Sequence, residues 1–192
     1  TKSFDLKGGA VSIDAGQNSS MAAIAAAMNM LLAGDCDMVI CAAGNRALGL
    51  PVYEALSLSG NLARGAPKCP FDSQAEGFVP GEGVGVLLLK KLADAQRDGD
   101  RIRGVIRGLG VAGGPAKKSL NTAIRRALES SALAEHEIAA IETASVGAER
   151  DGQAEFQAVL DAYGKRSGPR PLVLGSLCSQ IGFLQAAAGM AA

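Results

Sequence analysis

The chain has no tryptophan, a single histidine and no net charge, and each of these absences closes off a class of function. With only His136 available, and with Cys36, Cys41, Cys69 and Cys178 forming no CxxC pair, neither zinc-ligand spacing nor a disulfide framework is present. Four unpaired cysteines read as reduced thiols, which places the chain in the cytoplasm. Lysine plus arginine and aspartate plus glutamate are both 19, so no field exists to draw in nucleic acid or an anionic membrane. No apolar run reaches the about 18 residues of a membrane span, because the longest candidate is interrupted by Asn29 and closed by Gly34 and Asp35. No signal peptide opens the chain and no repeat of 20 to 50 residues is visible. The chain begins at Thr1 without a methionine and closes on LQAAAGMAA, the pattern expected of an excerpt from something larger.

What is present is a hydrophobic fraction of 48% and 25 glycines spread between periodic segments, the composition of a soluble globular α/β domain with close backbone packing. The stretch Val11 to Gly34 organises the rest. Ala10 to Asp14 reads as a strand and Asp14 to Gln17 as a tight turn. Ser19 to Ala33 reads as a helix capped by Asn18 or Ser19 and stopped by Gly34. Strand, turn and helix in that order form a nucleophile elbow, which lifts Gln17 over the positive end of the helix. A carboxamide can neither attack a carbonyl nor carry an acyl group, so the position is shaped for chemistry and occupied by a residue without it. Met21, Ile24, Met28, Leu31, Leu32 and six alanines leave this helix no polar face, and burial on both sides is expected. The run Cys36 to Gly44 then completes a βαβ unit with parallel pairing.

From Asn45 to Phe78 the periodicity fades among prolines and glycines, leaving an ordered loop region with one short helix near Val52 to Leu58. Gly83 to Leu92 and Ile102 to Gly113 read as an antiparallel pair joined at Asp98-Gly99-Asp100. An amphipathic helix over Lys118 to Ser131, a strand over Ile138 to Val146, a helix over Asp151 to Tyr163 and a strand over Leu172 to Leu177 follow. A last helix comes after Ser179-Gln180-Ile181-Gly182. The glycines of Gly81-Glu82-Gly83-Val84-Gly85 precede a strand instead of opening a helix, so they serve close backbone approach and not dinucleotide binding.

The residues Asp14 to Ser20 (DAGQNSS) resemble the DTACSSS elbow of β-ketoacyl synthases, the condensing domains of polyketide and fatty-acid synthases. Cys69-Pro70-Phe71-Asp72 and Glu76 to Gly85 are similar to that family's KPFD and DGFVRGEGAG blocks. Leu88 to Ile102 resembles the segment that follows in modular synthases. Ile141 to Gly147 lies where the family has VEAHGTG, and Gly175 to Gly189 where it has GSVKSNIGHLEAAAG. The resemblance covers essentially the whole chain. It implies an α/β fold of the thiolase type, an αβαβα sandwich, of which this chain is the central to C-terminal part. The end of the N-terminal thiolase half would lie at about 1–45, the connecting region at about 46–80 and an incomplete C-terminal half at about 81–192.

The same resemblance implies an acyltransferase, whose active members use a cysteine nucleophile acylated from a carrier-protein phosphopantetheine arm. Two histidines stabilise the enolate formed on decarboxylation, and a lysine helps to order them. Carried over residue by residue, those positions are Gln17 for the cysteine, Ala144 and Phe183 for the histidines and Cys178 for the lysine, so no catalytic residue is expected. A relocated nucleophile at Cys178 would have only His136 as base, and Cys41 reads as a small core residue. Glutamine at the elbow occurs in two kinds of family member. One is the chain-length factor, an inactive partner that pairs with an active ketosynthase to shape the acyl-chain pocket. The other is the decarboxylating loading domain, which keeps its histidines. The first reading is therefore a non-catalytic, chain-length-factor-type domain of a polyketide or polyunsaturated-fatty-acid synthase. The alternative is a diverged malonyl-carrier-protein decarboxylase or acyltransferase. Partners implied are an active ketosynthase domain, in a heterodimer or pseudo-dimer, and an acyl carrier protein. No cofactor or metal is bound directly, and phosphopantetheine enters only as a group on the carrier.

Overall fold

A computed structural model describes residues 5–46, 49–65, 70–144, 149–167 and 171–192, with the side chains of 149–151 left aside. Seven helices and four strands lie among the described residues: α1 (Ser19–Ala33), β1 (Met38–Asn45), α2 (Leu50–Leu58), β2 (Gly83–Lys90), α3 (Leu92–Arg97), α4 (Ala116–Ser131), β3 (Ala140–Glu142), α5 (Glu149–Tyr163), β4 (Val173–Gly175), α6 (Cys178–Ile181) and α7 (Ala188–Ala191). They divide into two compact units. The first comprises Thr1–Arg46, Gly83–Val105 and Gln185–Ala191, and the second Ala47–Glu82 and Ile106–Leu184 with Ala192. None of these helices is long and apolar enough to cross a membrane.

In the first unit β1 and β2 form an antiparallel ladder running from Met38↔Lys90 to Asn45↔Gly83. Alternation puts Val39, Cys41 and Ala43 of β1 with Leu87 and Leu89 of β2 on the side facing α1, where they pack with Ile24, Ala27 and Met190. Cys41 is thus a core residue, and burial pushes its thiol pKa up. The opposite face carries Met38, Ile40, Val84, Val86 and Leu88, all exposed. Helix α1 spans the residues its sequence predicts. It closes at Gly34, whose φ of 83° lets its own N–H and that of Asp35 donate back to Leu31 and Met30.

Three expectations need correction. Helix α1 is not buried all round: Ser20, Ile24, Ala27 and Leu31 form one buried stripe, while Leu32 is 73% exposed. A helix surface is buried only where something packs on it, and an all-apolar composition does not say where that is. The parallel βαβ unit does not form, because Ala10 to Asp14 makes no ladder among the described residues and β1 pairs antiparallel with β2. Gly83 to Leu92 and Ile102 to Gly113 are not a hairpin either. The intervening segment folds as α3, and Ile102 to Gly113 joins no ladder among the described residues. Local pattern registers apolar alternation but not the identity of the partner that supplies ladder hydrogen bonds.

In the second unit the 108–111 segment lies against α4. Ser130 Oγ accepts the Leu109 N–H at 2.9 Å and Arg126 donates to the Val111 carbonyl. A Cβ on Gly108 would stand 2.6 Å from the Ala127 carbonyl oxygen, so helix and segment meet backbone to backbone. Helix α4 packs on α5, with Asp161 accepting from Asn121 and Lys117, each at 3.0 Å. Strands β3 and β4 pair in parallel, from Ala140↔Val173 to Glu142↔Gly175. The sequence-predicted strands at Ile138 to Val146 and Leu172 to Leu177 contract to these three-residue cores, and Ser145 and Val146 lie outside the described residues.

An ion cluster closes the end of β2. Lys90 Nζ reaches Asp98 Oδ2 at 2.5 Å and Asp100 Oδ2 at 2.7 Å, while Arg97 Nε reaches Asp98 Oδ1 at 2.7 Å. The hydrogen bonds from Arg97 and then Lys90 hold the Asp98 carboxyl down at about 2, against its ordinary 3.8. Because the folded value is the lower one, the contribution to stability is present above pH 3.8 and is lost as pH falls toward 2. Thermal melts of Asp98→Asn against the parent should therefore differ at neutral pH and converge below about pH 2. A constant difference across that window would show that the pairing is not what stabilises the turn.

Candidate functional site

At the elbow the left-handed position is Gly16, with φ of 59°, and not Gln17. Asp14 Oδ1 accepts the Gly16 N–H at 3.0 Å. Ser19 Oγ accepts the Ala15 N–H at 3.0 Å and donates to the Gly16 carbonyl at 2.7 Å. These bonds bend the chain into the 3-10 turn Gly16–Asn18 that feeds α1. Asn18 occupies the cap position of α1 without a side-chain cap bond, and the Ser19 hydroxyl ties the preceding turn instead of capping the helix. Gln17 sits exposed on this turn. The elbow is therefore made by Asp14, Gly16 and Ser19, and the carboxamide of Gln17 takes no part in it. Two of its backbone N–H groups, on Ala15 and Gly16, are already committed to side chains and are not available to an incoming anion.

Directly after Ser19, Ser20 is wholly buried, and its hydroxyl has no hydrogen-bond partner among the described residues. The Met21 and Ser20 side chains lie within 3.0 Å of where a Cβ on Gly189 would stand, so the hydroxyl is packed and not solvated. Removing an unsatisfied buried hydroxyl relieves its desolvation cost. Ser20→Ala is expected to raise stability by up to about 1 kcal/mol in denaturant unfolding, and a loss of that size would indicate a partner for the hydroxyl.

Ala144, Cys178 and Phe183 belong to the second unit. Ala144 follows β3, is exposed, and donates its N–H to Glu155 Oε1 of α5 at 2.8 Å. Before it, the buried Thr143 donates both its N–H, at 2.9 Å, and its hydroxyl, at 2.8 Å, to the Gly175 carbonyl at the end of β4. Glu142 accepts the N–H of Leu177, the residue that opens α6. Two carboxylates and one threonine thus fix the loops that carry Ala144 and Cys178. Cys178 is the first residue of α6, partly buried, and its thiol is pushed up by burial and then by the negative charge of Glu142. A thiol held protonated is neither a nucleophile nor a stand-in for a cation. His136 lies exposed in the turn Glu135–Glu137, its carbonyl accepting from Arg166 Nη2 at 3.0 Å.

Phe183 is held most firmly. It is buried, its N–H donates to Val79 at 2.8 Å, and its carbonyl accepts from Gly81 at 3.0 Å. Its ring meets Phe78 edge to face, with centroids 4.9 Å apart and planes at 72°. Ala144 and Cys178 are thus brought to the adjoining ends of β3 and β4 and share Glu142 and Glu155 as neighbours. Phe183 follows α6 and is bonded to the 79–81 segment. Glu142, Glu155 and Thr143 were not singled out from the sequence. Their types are ordinary, and only the pairing of β3 with β4 shows what they hold. Among the described residues no three His, Cys, Asp or Glu side chains gather in a way that could hold a metal ion.

Residues 1–95 match the family described as beta-ketoacyl synthase, N-terminal domain, and residues 104–192 the one described as beta-ketoacyl synthase, C-terminal domain. Among curated relatives, the spectinabilin polyketide synthase system protein NorA' of Streptomyces orinoci is 37% identical over 198 residues, covering 98% of this chain and 5% of its own length. The pikromycin polyketide synthase component PikAIII of Streptomyces venezuelae is 35% identical, covering 96% of this chain and 12% of its own. Among solved structures, the ketosynthase from module 6 of the bacillaene synthase of Bacillus subtilis 168 superposes with a TM-score of 0.90 at 31% identity, over 98% of this chain and 35% of that one. The chain belongs to the β-ketoacyl synthase family and is a ketosynthase-like domain of the kind found in polyketide synthases. Its fold is the expected thiolase-like α/β architecture. It spans only a small part of the curated relatives' length and about a third of the solved ketosynthase chain.

Phe183→Ala should cost about 3–5 kcal/mol in unfolding free energy, as for other buried phenylalanines. Gln17→Ala, at an exposed position outside the elbow's bonds, should change it by less than about 0.5 kcal/mol. Chemical denaturation of both variants checks the contrast, and similar costs would contradict the placement of these side chains.

Proposed function

We propose that this domain is non-catalytic and of chain-length-factor type. It would pair with an active ketosynthase, shaping the acyl-chain pocket of a polyketide or polyunsaturated-fatty-acid synthase. The observation that carries this reading is Phe183: where active members of the family place a hydrogen-bonding imidazole, this chain has a buried ring packed on Phe78. The other three positions support it. Gln17 offers no nucleophile, Ala144 no side-chain donor, and Cys178 a thiol whose pKa is raised. Loss of one oxyanion donor costs roughly 10²–10³ in rate, so loss of the nucleophile and both donors leaves no useful condensation. An acyl carrier protein, with its phosphopantetheine arm, would then be met by the active partner and not served by this domain.

The test is co-expression of the full-length protein with the ketosynthase domains encoded beside it, followed by native mass spectrometry. A heterodimer that forms equally well with Gln17→Ala, together with no CO₂ release from malonyl-loaded carrier protein, is the expected result. A protein that stays monomeric beside each of those domains, or that releases CO₂ and leaves acetyl-carrier protein, would overturn the proposal.

Gln17→Cys by itself should give no chain extension, although the new thiol is expected to be acylated, since a helix N-terminus lowers a thiol's pKa. Intact-mass analysis reads the acylation and product chromatography reads the extension. Extension by the single variant would show that the two histidine positions are dispensable here.

A further inference from the structure

We draw no further inference here: the strongest candidate, the uncovered apolar face of the β1–β2 sheet formed by Met38, Ile40, Val84, Val86 and Leu88, carries nothing because nothing in the structure shows what covers it.

Discussion

Backbone brought against backbone is the constraint on which the second unit depends. At Gly81 a Cβ would lie 2.6 Å from the Ile181 carbonyl oxygen, and this absence of a side chain lets the 79–81 segment exchange hydrogen bonds with Phe183 on both sides. Those two bonds in turn set the Phe183 ring on Phe78, so that the aromatic contact follows from the glycine. At Gly110 the same logic brings the 108–111 segment onto α4, with the Ala123 carbonyl standing where a Cβ would go. Glycine weakens an element on its own, through its backbone entropy. It is retained where contact at this range leaves no alternative.

Such contacts ask nothing of the reacting groups. The bonds of Asp14 and Ser19 make the elbow whatever residue stands at 17, and Thr143 and Glu142 fix the loop ends whatever stands at 144 and 178. Scaffold and chemistry therefore rest on different side chains. A chain can change the second set and keep the first. The ketosynthase likeness is strong, with 98% of the chain superposed on a solved ketosynthase.

Legibility from sequence divides along the same line. Helix α1, strands β1 and β2 and helices α4 and α5 were readable because periodicity and punctuation are local signals: Gly34 ends α1, and apolar alternation marks the strands. The family blocks were readable because they carry fixed spacing. What could not be read was pairing. Ala10 to Asp14 and Ile102 to Gly113 have the composition of strands, yet ladder bonds depend on residues far along the chain, and the hairpin turn expected at Asp98 proved to follow a helix. The burial of α1 along a single stripe was likewise invisible, since its composition is apolar in every direction.

Position 183, where the family resemblance places a histidine, shows how packing can oppose a polar group. A phenylalanine ring at 183 satisfies its surroundings by shape alone, against the edge or face of Phe78. An imidazole at that place would carry at least one N–H and one acceptor nitrogen into a buried site packed against the Phe78 ring. An unsatisfied buried polar group costs about 1–3 kcal/mol, a sizeable share of the about 5–15 kcal/mol that holds a typical domain folded. A histidine at 183 would thus lower stability, whereas Gln17 and Ala144 are exposed and a polar group there carries no such cost. On the proposed reading, the aromatic packing at 183 opposes the return of an imidazole, and the domain acts through the surfaces its fold presents.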